Sequence, residues 1–230
     1  LHSCFSCTVD DDGHGIQRDD LKEVGVRHAT SKYSDDDRRH GVAPKTLGFK
    51  GEALYSLVSC SVVEIVSRHQ SSATTYRKLS AGEAATTLGV SSSSRHVGTS
   101  VTLRDLFFNQ PVRQKLQQDR GKAIKDVQLR IDDLAVAFPS IGFSFRDEGE
   151  GKHLSIFRRN VILSLRIRQL CGPKCLEDLS EADVRVHDVR LKGLIQTSLA
   201  GGQASKSQQY LQVNGRPVLH CFVLDKINML

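Results

Sequence analysis

The sequence predicts an α/β protein, a sheet with helices laid on it, and three observations carry that reading. Ser61-Val62-Val63-Glu64-Ile65-Val66-Ser67 has the β-branched character of a strand. Further strand candidates follow at 74–79, 97–103, 141–146 and 153–157. Between them Ile124, Val127, Ile131, Leu134 and Phe138 recur at three- and four-residue steps until Pro139 stops the pattern, the spacing of a helix with one buried face.

In chain order, Phe5–Val9 reads as a strand entering the turn Asp10-Asp11-Asp12-Gly13-His14-Gly15, and Leu21, Val24 and Val26 give residues 17–33 short helical potential. Residues 34–45 are polar, charged and broken by Gly41 and Pro44, a loop by composition. Thr46-Leu47-Gly48-Phe49-Lys50-Gly51-Glu52 then makes a glycine corner ahead of Ala53-Leu54-Tyr55-Ser56-Leu57-Val58, a run that can bury one face of a helix. Ser91–Ser94 is a surface turn. Strands 141–146 and 153–157 belong together as a hairpin, which puts the domain boundary near residue 160: one domain over 1–160 and a partial second over 161–230. The second is expected to hold a helix at 161–171, a strand at 186–198, the strand Tyr210-Leu211-Gln212-Val213 entering an Asn214-Gly215 turn, and a helical tail at 219–230.

The 230 residues, 39% of them apolar, suffice for a real core. No stretch approaches the ~20 uninterrupted apolar residues that a bilayer crossing needs, and no basic leader with an apolar core opens the chain, so a soluble intracellular protein without a membrane partner is expected. The chain begins with Leu1 rather than Met, as a fragment of a longer protein would. Its 32 Lys and Arg against 26 Asp and Glu leave a net charge of +6, which suits phosphate-bearing partners without demanding them. Of the six cysteines only Cys4 with Cys7 and Cys171 with Cys175 form close pairs. No His-x3-His partner follows either pair, so the thiols read as reduced and structural and no metal site is expected from them.

Three segments read as walls of one pocket. In Asp11-x-Gly13-x-Gly15 a carboxylate can accept a hydrogen bond from an exocyclic amine while glycines leave room for a flat base. The Gly48–Leu54 corner combines tight turns with a helix start, whose N–H groups lack intrahelical partners and suit an anion. Val97-Gly98-Thr99-Ser100-Val101 brings a hydroxyl into a strand, where it can complete base recognition near Asp11. Each motif alone is common in ordinary turns; their order and spacing are not.

Asp11-Asp12-Gly13-His14-Gly15-Ile16, Arg27-His28-Ala29-Thr30-Ser31-Lys32, Gly48-Phe49-Lys50-Gly51-Glu52-Ala53-Leu54 and Gly98-Thr99 resemble, in this order, the ATP site of the MutL mismatch-repair proteins. These belong to the GHKL ATPase superfamily shared by gyrase, Hsp90 and histidine kinases. Leu106-Phe107-Phe108-Asn109-Gln110-Pro111-Val112-Arg113-Gln114-Lys115 looks specifically like MutL, and Val213-Asn214-Gly215-Arg216-Pro217-Val218 is similar to its second-domain signature. The lid residues and second unit look most like the eukaryotic branch of mismatch repair and meiotic crossing over. The resemblance implies a GHKL (Bergerat-type) α/β sandwich followed by a truncated ribosomal-S5-like domain. It implies ATP and Mg²⁺ as cofactors, a heterodimer with another MutL-homologue subunit, and a nuclear protein.

On this resemblance Asp11 holds the adenine amine, Gly13 and Gly15 let the base approach, and Thr99, after Gly98, supports Asp11 through its hydroxyl or a bridging water. Thr30, Ser31 and Lys32 line the lid. Gly48, Phe49, Lys50, Gly51, Glu52, Ala53 and Leu54 form the lid's end and the helix start that cradles phosphates, with Lys50 adding charge and Glu52 serving the helix end as a cap or dipole partner. His14 is a surface turn residue. The family activates water with a Glu and binds Mg²⁺ through an Asn, both on a helix ahead of the first motif. No Glu-x3-Asn precedes Asp11 in this chain, and the family's second-domain lysine for the γ-phosphate falls past its end. No residue is therefore assigned a catalytic role; ATPase activity is expected of the intact protein, and no endonuclease activity is claimed for this chain.

Arg113 and Lys115, with Arg120, Lys122 and Lys125 and further Arg158, Arg159, Arg166 and Arg168, are the candidates for DNA backbone contact, set against the ordinary reading of solvated helix cations. The competing function is a non-catalytic DNA-binding or subunit-interaction module from the same family, which would show salt-dependent DNA affinity and no response to ATP. Another superfamily member, a chaperone or topoisomerase, is disfavoured by Phe108-Asn109-Gln110-Pro111-Val112-Arg113.

Overall fold

From Val62 to Arg68 burial alternates residue by residue, and the strand buries Val63, Ile65 and Ser67 on one face. It is the middle of a five-stranded antiparallel sheet. The computed structural model describes residues 6–32, 39–40, 46–82, 85–116, 119–159, 162–177, 179–196, 209–218 and 225–226. The sheet comprises β1 (Cys7–Asp11), β2 (Val62–Arg68), β3 (Tyr76–Ala81), β4 (Ala85–Val90) and β5 (Gly98–Arg104), in the order β1-β5-β2-β3-β4.

Register explains which residues share a face. Val9, Val101, Ile65, Lys78 and Leu88 stand in one row across the strands, Cys7, Leu103, Val63 and Ser80 in the next, and Asp11, Thr99, Ser67 and Tyr76 in a third. Helices α1 (Arg18–Glu23) and α2 (Ala53–Val58) belong to this side: Leu21 and Val58 form the core with Val63 and Ile65, fringed by Ile16, Leu57, Val101 and Leu103. Lys78 sits within this apolar face and resolves the conflict by turning its ammonium to the end of α1, where Nζ donates to the carbonyls of Lys22 (2.6 Å) and Val24 (2.8 Å). The opposite face is polar: the Thr8 and Thr102 hydroxyls meet at 3.1 Å, and Glu64 pairs with Arg77 and Arg104.

The chain divides by its own packing into Leu1–Asp119 and Arg120–Leu230. The first unit ends with helix α3 (Pro111–Leu116). The second contains α4 (Arg120–Ala137), the hairpin β6 (Phe143–Asp147) and β7 (Lys152–Phe157), α5 (Leu163–Cys171), a 3₁₀ turn at Pro173–Leu176, the hairpin β8 (Leu179–Val186) and β9 (Val189–Gln196), and the hairpin β10 (Leu211–Val213) and β11 (Arg216–Val218). The long helix and the 143–157 hairpin, expected in the domain before residue 160, group with the second unit.

Other departures from the sequence reading have local causes. The first strand lies two residues later than expected, because pairing with β5 continues to Asp11. Strands β4 and β8 and helix α3 were not anticipated. The single strand expected at 186–198 is the return arm of a hairpin, whose turn at His187 has φ 52° and carries no glycine to announce it. The Asn214-Gly215 turn is as expected, both residues having positive φ (51° and 75°), as a type I′ hairpin requires. The expected loop 34–45, apart from Arg39 and His40, and the helical tail, apart from 225–226, lie outside the described residues, as does Cys4. Cys7, Cys60, Cys171 and Cys175 carry free thiols, and burial pushes Cys171 up, away from thiolate reactivity.

Within α4, Asp132 is a carboxylate in the wrong solvent. Its Oδ1 is buried without a hydrogen bond among the described residues, and burial, with Asp133 repelling it, raises its pKa to about 6. The folded state therefore holds this proton more tightly than the unfolded chain. The stabilisation is complete below about pH 4, declines as pH rises, and is gone above about pH 6. Asp132→Asn should accordingly raise the unfolding free energy at pH 7.5 by an amount on the order of 1 kcal/mol after allowing for solvent screening, and the gain should vanish near pH 4. Equal gains at both pH values in thermal melts would contradict this account.

Candidate functional site

The third register row delivers the first cluster. Asp11 ends β1 opposite Thr99 on β5, and Thr99 lies opposite Ser67 on β2, so three polar residues stand abreast at one end of the sheet. Oδ1 of Asp11 accepts from the backbone N–H of Gly13 (3.0 Å) and of Thr99 (3.2 Å). These two bonds orient the carboxylate, and Oδ2 makes no hydrogen bond among the described residues.

The expected hydroxyl support from Thr99 takes a different form. Its Oγ1 lies 3.0 Å from Ser67 Oγ, and the help to Asp11 comes from its main-chain N–H. Ser67 is fully buried and is a hub the sequence reading missed: Oγ also accepts from the Ile16 N–H (2.8 Å) and lies 3.2 Å from the Gly98 carbonyl. The turn after Gly15 is thereby tied to the two strands beside it.

Glycine is required here by contact as well as by conformation. Gly15 (φ 73°) has no room for a Cβ against the Arg68 carbonyl, nor Gly98 (φ 133°) against the Asp11 carbonyl; in both cases the added carbon would sit well under 3.0 Å from backbone. His14 is exposed, as expected, with Nδ1 2.6 Å from the Gly15 carbonyl. A shallow hollow lined by Ile16, Arg18, His69, Ser72 and Tyr76 borders this cluster and includes none of the expected site residues.

The second cluster joins two motifs far apart in sequence. Gly51 (φ 66°) packs so closely on His28 and Ala29 that a Cβ would overlap their backbone, and this contact holds Arg27–Lys32 against the Gly48–Leu54 corner. The Arg27 guanidinium lies 5.9 Å from the Tyr55 ring centre, adding a second link. Thr30 Oγ1 accepts from the Lys32 N–H (3.2 Å) around Ser31, and Thr46 Oγ1 donates to the Gly48 carbonyl (2.8 Å). Lys50 extends beside Phe49, with Nζ 5.9 Å from the ring centre.

Glu52 does not cap as expected. It is the N-cap residue of α2 but makes no side-chain cap bond; its Oε1 instead lies 3.9 Å from His28 Nδ1. The first intrahelical bond is Ser56 N–H to Glu52 O at 2.9 Å, so the N–H groups of Ala53 and Leu54 stand ahead of it at the helix mouth. Both clusters belong to the helix-covered side of the sheet.

The DNA candidates separate by burial. Arg113 and Lys115 are exposed on α3, with the Arg113 guanidinium 5.8 Å from the Phe107 ring centre. Arg166 is fully buried and is removed from the surface set, for a reason its bonds give: it donates to the carbonyls of Pro139 (3.0 Å) and Ile141 (2.5 Å) and to Gln169 (3.2 Å). Arg120 is paired with Asp147. Among the described residues no three His, Cys, Asp or Glu side chains converge as a metal would need, and Asp11 is already bonded to backbone amides. No step is assigned to Mg²⁺.

Residues 2–104 match the family described as histidine kinase-, DNA gyrase B-, and HSP90-like ATPase. The chain is 35% identical over 212 residues to DNA mismatch repair protein MutL of Pseudomonas putida (strain GB-1), an alignment covering 91% of this chain and 33% of that protein. It is 37% identical over 145 residues to DNA mismatch repair protein MLH3 of Arabidopsis thaliana, covering 62% of this chain and 12% of the relative. Among solved structures, the Aquifex aeolicus MutL ATPase domain complexed with ADP superposes with a TM-score of 0.69 at 21% identity, covering 97% of this chain and 75% of that one. The α/β ATPase fold is therefore shared. The chain spans about a third of the length of its bacterial relative.

Proposed function

We propose, since this chain belongs to the MutL family of DNA mismatch repair proteins through its N-terminal ATPase region, that it binds ATP at the two clusters and passes the nucleotide state on as dimerisation and DNA handling. The observation that carries the proposal is the Asp11 carboxylate, whose Oδ1 is held by two backbone amides while Oδ2 can take the adenine amine. Gly15 and Gly98 let the backbone close up against the Arg68 and Asp11 carbonyls and so shape the turn that carries it, and the Gly48–Leu54 corner with Thr30, Ser31 and Lys32 is the proposed cradle for the phosphates. Lys50 and the N–H groups of Ala53 and Leu54 supply the positive potential there.

ATP brings the phosphoanhydride and the charge around which the lid segment closes. The chain's own residues orient the base and cradle the phosphates. Binding that favours a closed lid shifts the population toward a dimerising state, with another MutL-homologue subunit as the partner. Phosphate contacts by Arg113 and Lys115 are the proposed route to DNA. The second unit is read as part of an S5-like domain, and the intact protein as a nuclear ATPase of the eukaryotic branch with a meiotic role. The MLH3 similarity favours that branch.

Asp11→Asn tests the reading. The amide keeps the shape but presents a donor where the adenine amine also donates if its nitrogen faces the base, so ATP affinity should fall ~10- to 100-fold. Thermal stability should stay near that of the unmodified chain. Titration with a fluorescent ATP analogue checks this; undiminished binding by the variant would remove adenine recognition from Asp11. If neither protein binds ATP while both bind DNA in a salt-dependent way, the binding-module reading replaces this one.

A further inference from the structure

We propose that Arg95 is a positioning residue for the nucleotide base, setting the place of Asp11 and through it the preference for adenine. The inference rests on the ATP-binding reading above and adds the part that aims the carboxylate.

Strand β1 is poorly held by packing. Every described residue along it is exposed, among the described residues it pairs with β5 alone, and Asp11 is its last paired residue. The two amide bonds to Oδ1 orient the carboxylate but leave the main-chain carbonyl of Asp11, at the end of a strand, in need of its own anchor. Arg95 supplies the tether. Its Nη2 donates to the Asp11 carbonyl at 3.1 Å, and its Nη1 donates to the carbonyl of Val66, in the central strand β2, at 2.9 Å.

One planar guanidinium thus bridges the edge strand and the central strand across the start of β5. Gly98 makes the bridge possible, since any Cβ there would fall on the Asp11 carbonyl and crowd Arg95 Nη2. Arg95 is itself held: Nε donates to the His96 carbonyl (3.2 Å), and its own carbonyl accepts from Arg68 Nη1 (3.1 Å). Arg68 in turn donates from Nε to the Ser72 carbonyl (3.2 Å). The chain of bonds runs from a rigid strand through two arginines to the residue that reads the base. A lysine has one point-like donor group and cannot span both carbonyls with fork geometry.

The test is the ratio of ATP to GTP affinity in the full chain, measured by calorimetry alongside thermal melts, for Arg95→Ala, Arg95→Lys and Asp11→Asn. Guanine presents a carbonyl where adenine has its amine, so GTP binding does not draw on Asp11 as an acceptor there. Arg95→Ala should lower ATP affinity ~10-fold while leaving GTP affinity nearly unchanged, collapsing the ratio as Asp11→Asn does, and Arg95→Lys should fall between. A variant that merely loosens the fold would lower both affinities together and keep the ratio. An unchanged ratio in Arg95→Ala, or in Arg95→Lys if the alanine variant does not fold, overturns the inference while the ATP site stands. An unmodified chain that shows no preference for ATP overturns the reading beneath it, a result distinct from the first.

Discussion

Replacing Gly98 by alanine is expected to cost the first unit ~3–5 kcal/mol and to abolish ATP binding at accessible concentrations. Two independent penalties fall on this one carbon. At φ 133° an L side chain is strained whatever space surrounds it, and the added Cβ would stand well inside 3.0 Å of the Asp11 carbonyl oxygen. Backbone cannot move aside as a flexible side chain can. Relief requires β1 to part from β5 at the Asp11–Thr99 pair, and among the described residues no second strand pairs with β1 to hold it. Stability and site geometry should therefore be lost together.

The control is Gly89→Ala in β4. No atom lies within 4 Å of a Cβ there, and the residue is not in the positive-φ region. That change should be neutral or slightly stabilising, since it only restricts the unfolded chain. Urea midpoints of the two variants, read beside nucleotide titrations, decide the matter. Equal midpoints would show that β1 adjusts freely and that the close approach at Gly98 is not what fixes the site.

The same residues show how far the sequence could be read. Asp11, Gly13, Gly15, Gly98 and Thr99 were legible because turn glycines and a short carboxylate announce special backbone geometry locally. Ser67, Arg68 and Arg95 were not. A serine closing a strand and an arginine after a serine run look like solvated surface, and their importance arises only when pairing sets Ser67 beside Thr99 and lets Arg95 span two strands. Glu52 stands at the helix start as read, but its side chain turns toward His28 instead of capping, because Gly51 packs on His28 and Ala29, a contact between segments that spacing does not encode.

Long, strongly periodic elements were found close to their places, as α4 shows. Strands β4 and β8 were passed over because their residues are largely exposed and rich in threonine or charge, so no apolar run marks them. Arg166 did carry a signal. Leu163, Ile167 and Leu170 make one helical stripe, and Arg166 lies on it at the i+3 position, among residues that face inward.

That position leads to the largest effect expected in the second unit. Arg166→Ala should lower its stability by ~3–5 kcal/mol, because the carbonyls of Pro139 and Ile141 lose a charged donor in a place water does not reach. The guanidinium also lies 5.3 Å from the Phe157 ring centre, and Phe157 is itself buried, so truncation leaves a void beside an aromatic ring. Arg166→Met restores volume without donors and should recover part of the loss. Arg168→Ala, two residues on and exposed, should change stability by less than ~0.5 kcal/mol. Chemical denaturation of the three variants separates the effects. A surface cation in the DNA path would give the reverse pattern, with stability preserved and the salt dependence of DNA binding reduced by about one ion. If Arg166→Ala unfolds at the same denaturant concentration as Arg168→Ala, its bonds to the two carbonyls contribute nothing, and Arg166 returns to the set of candidate DNA contacts.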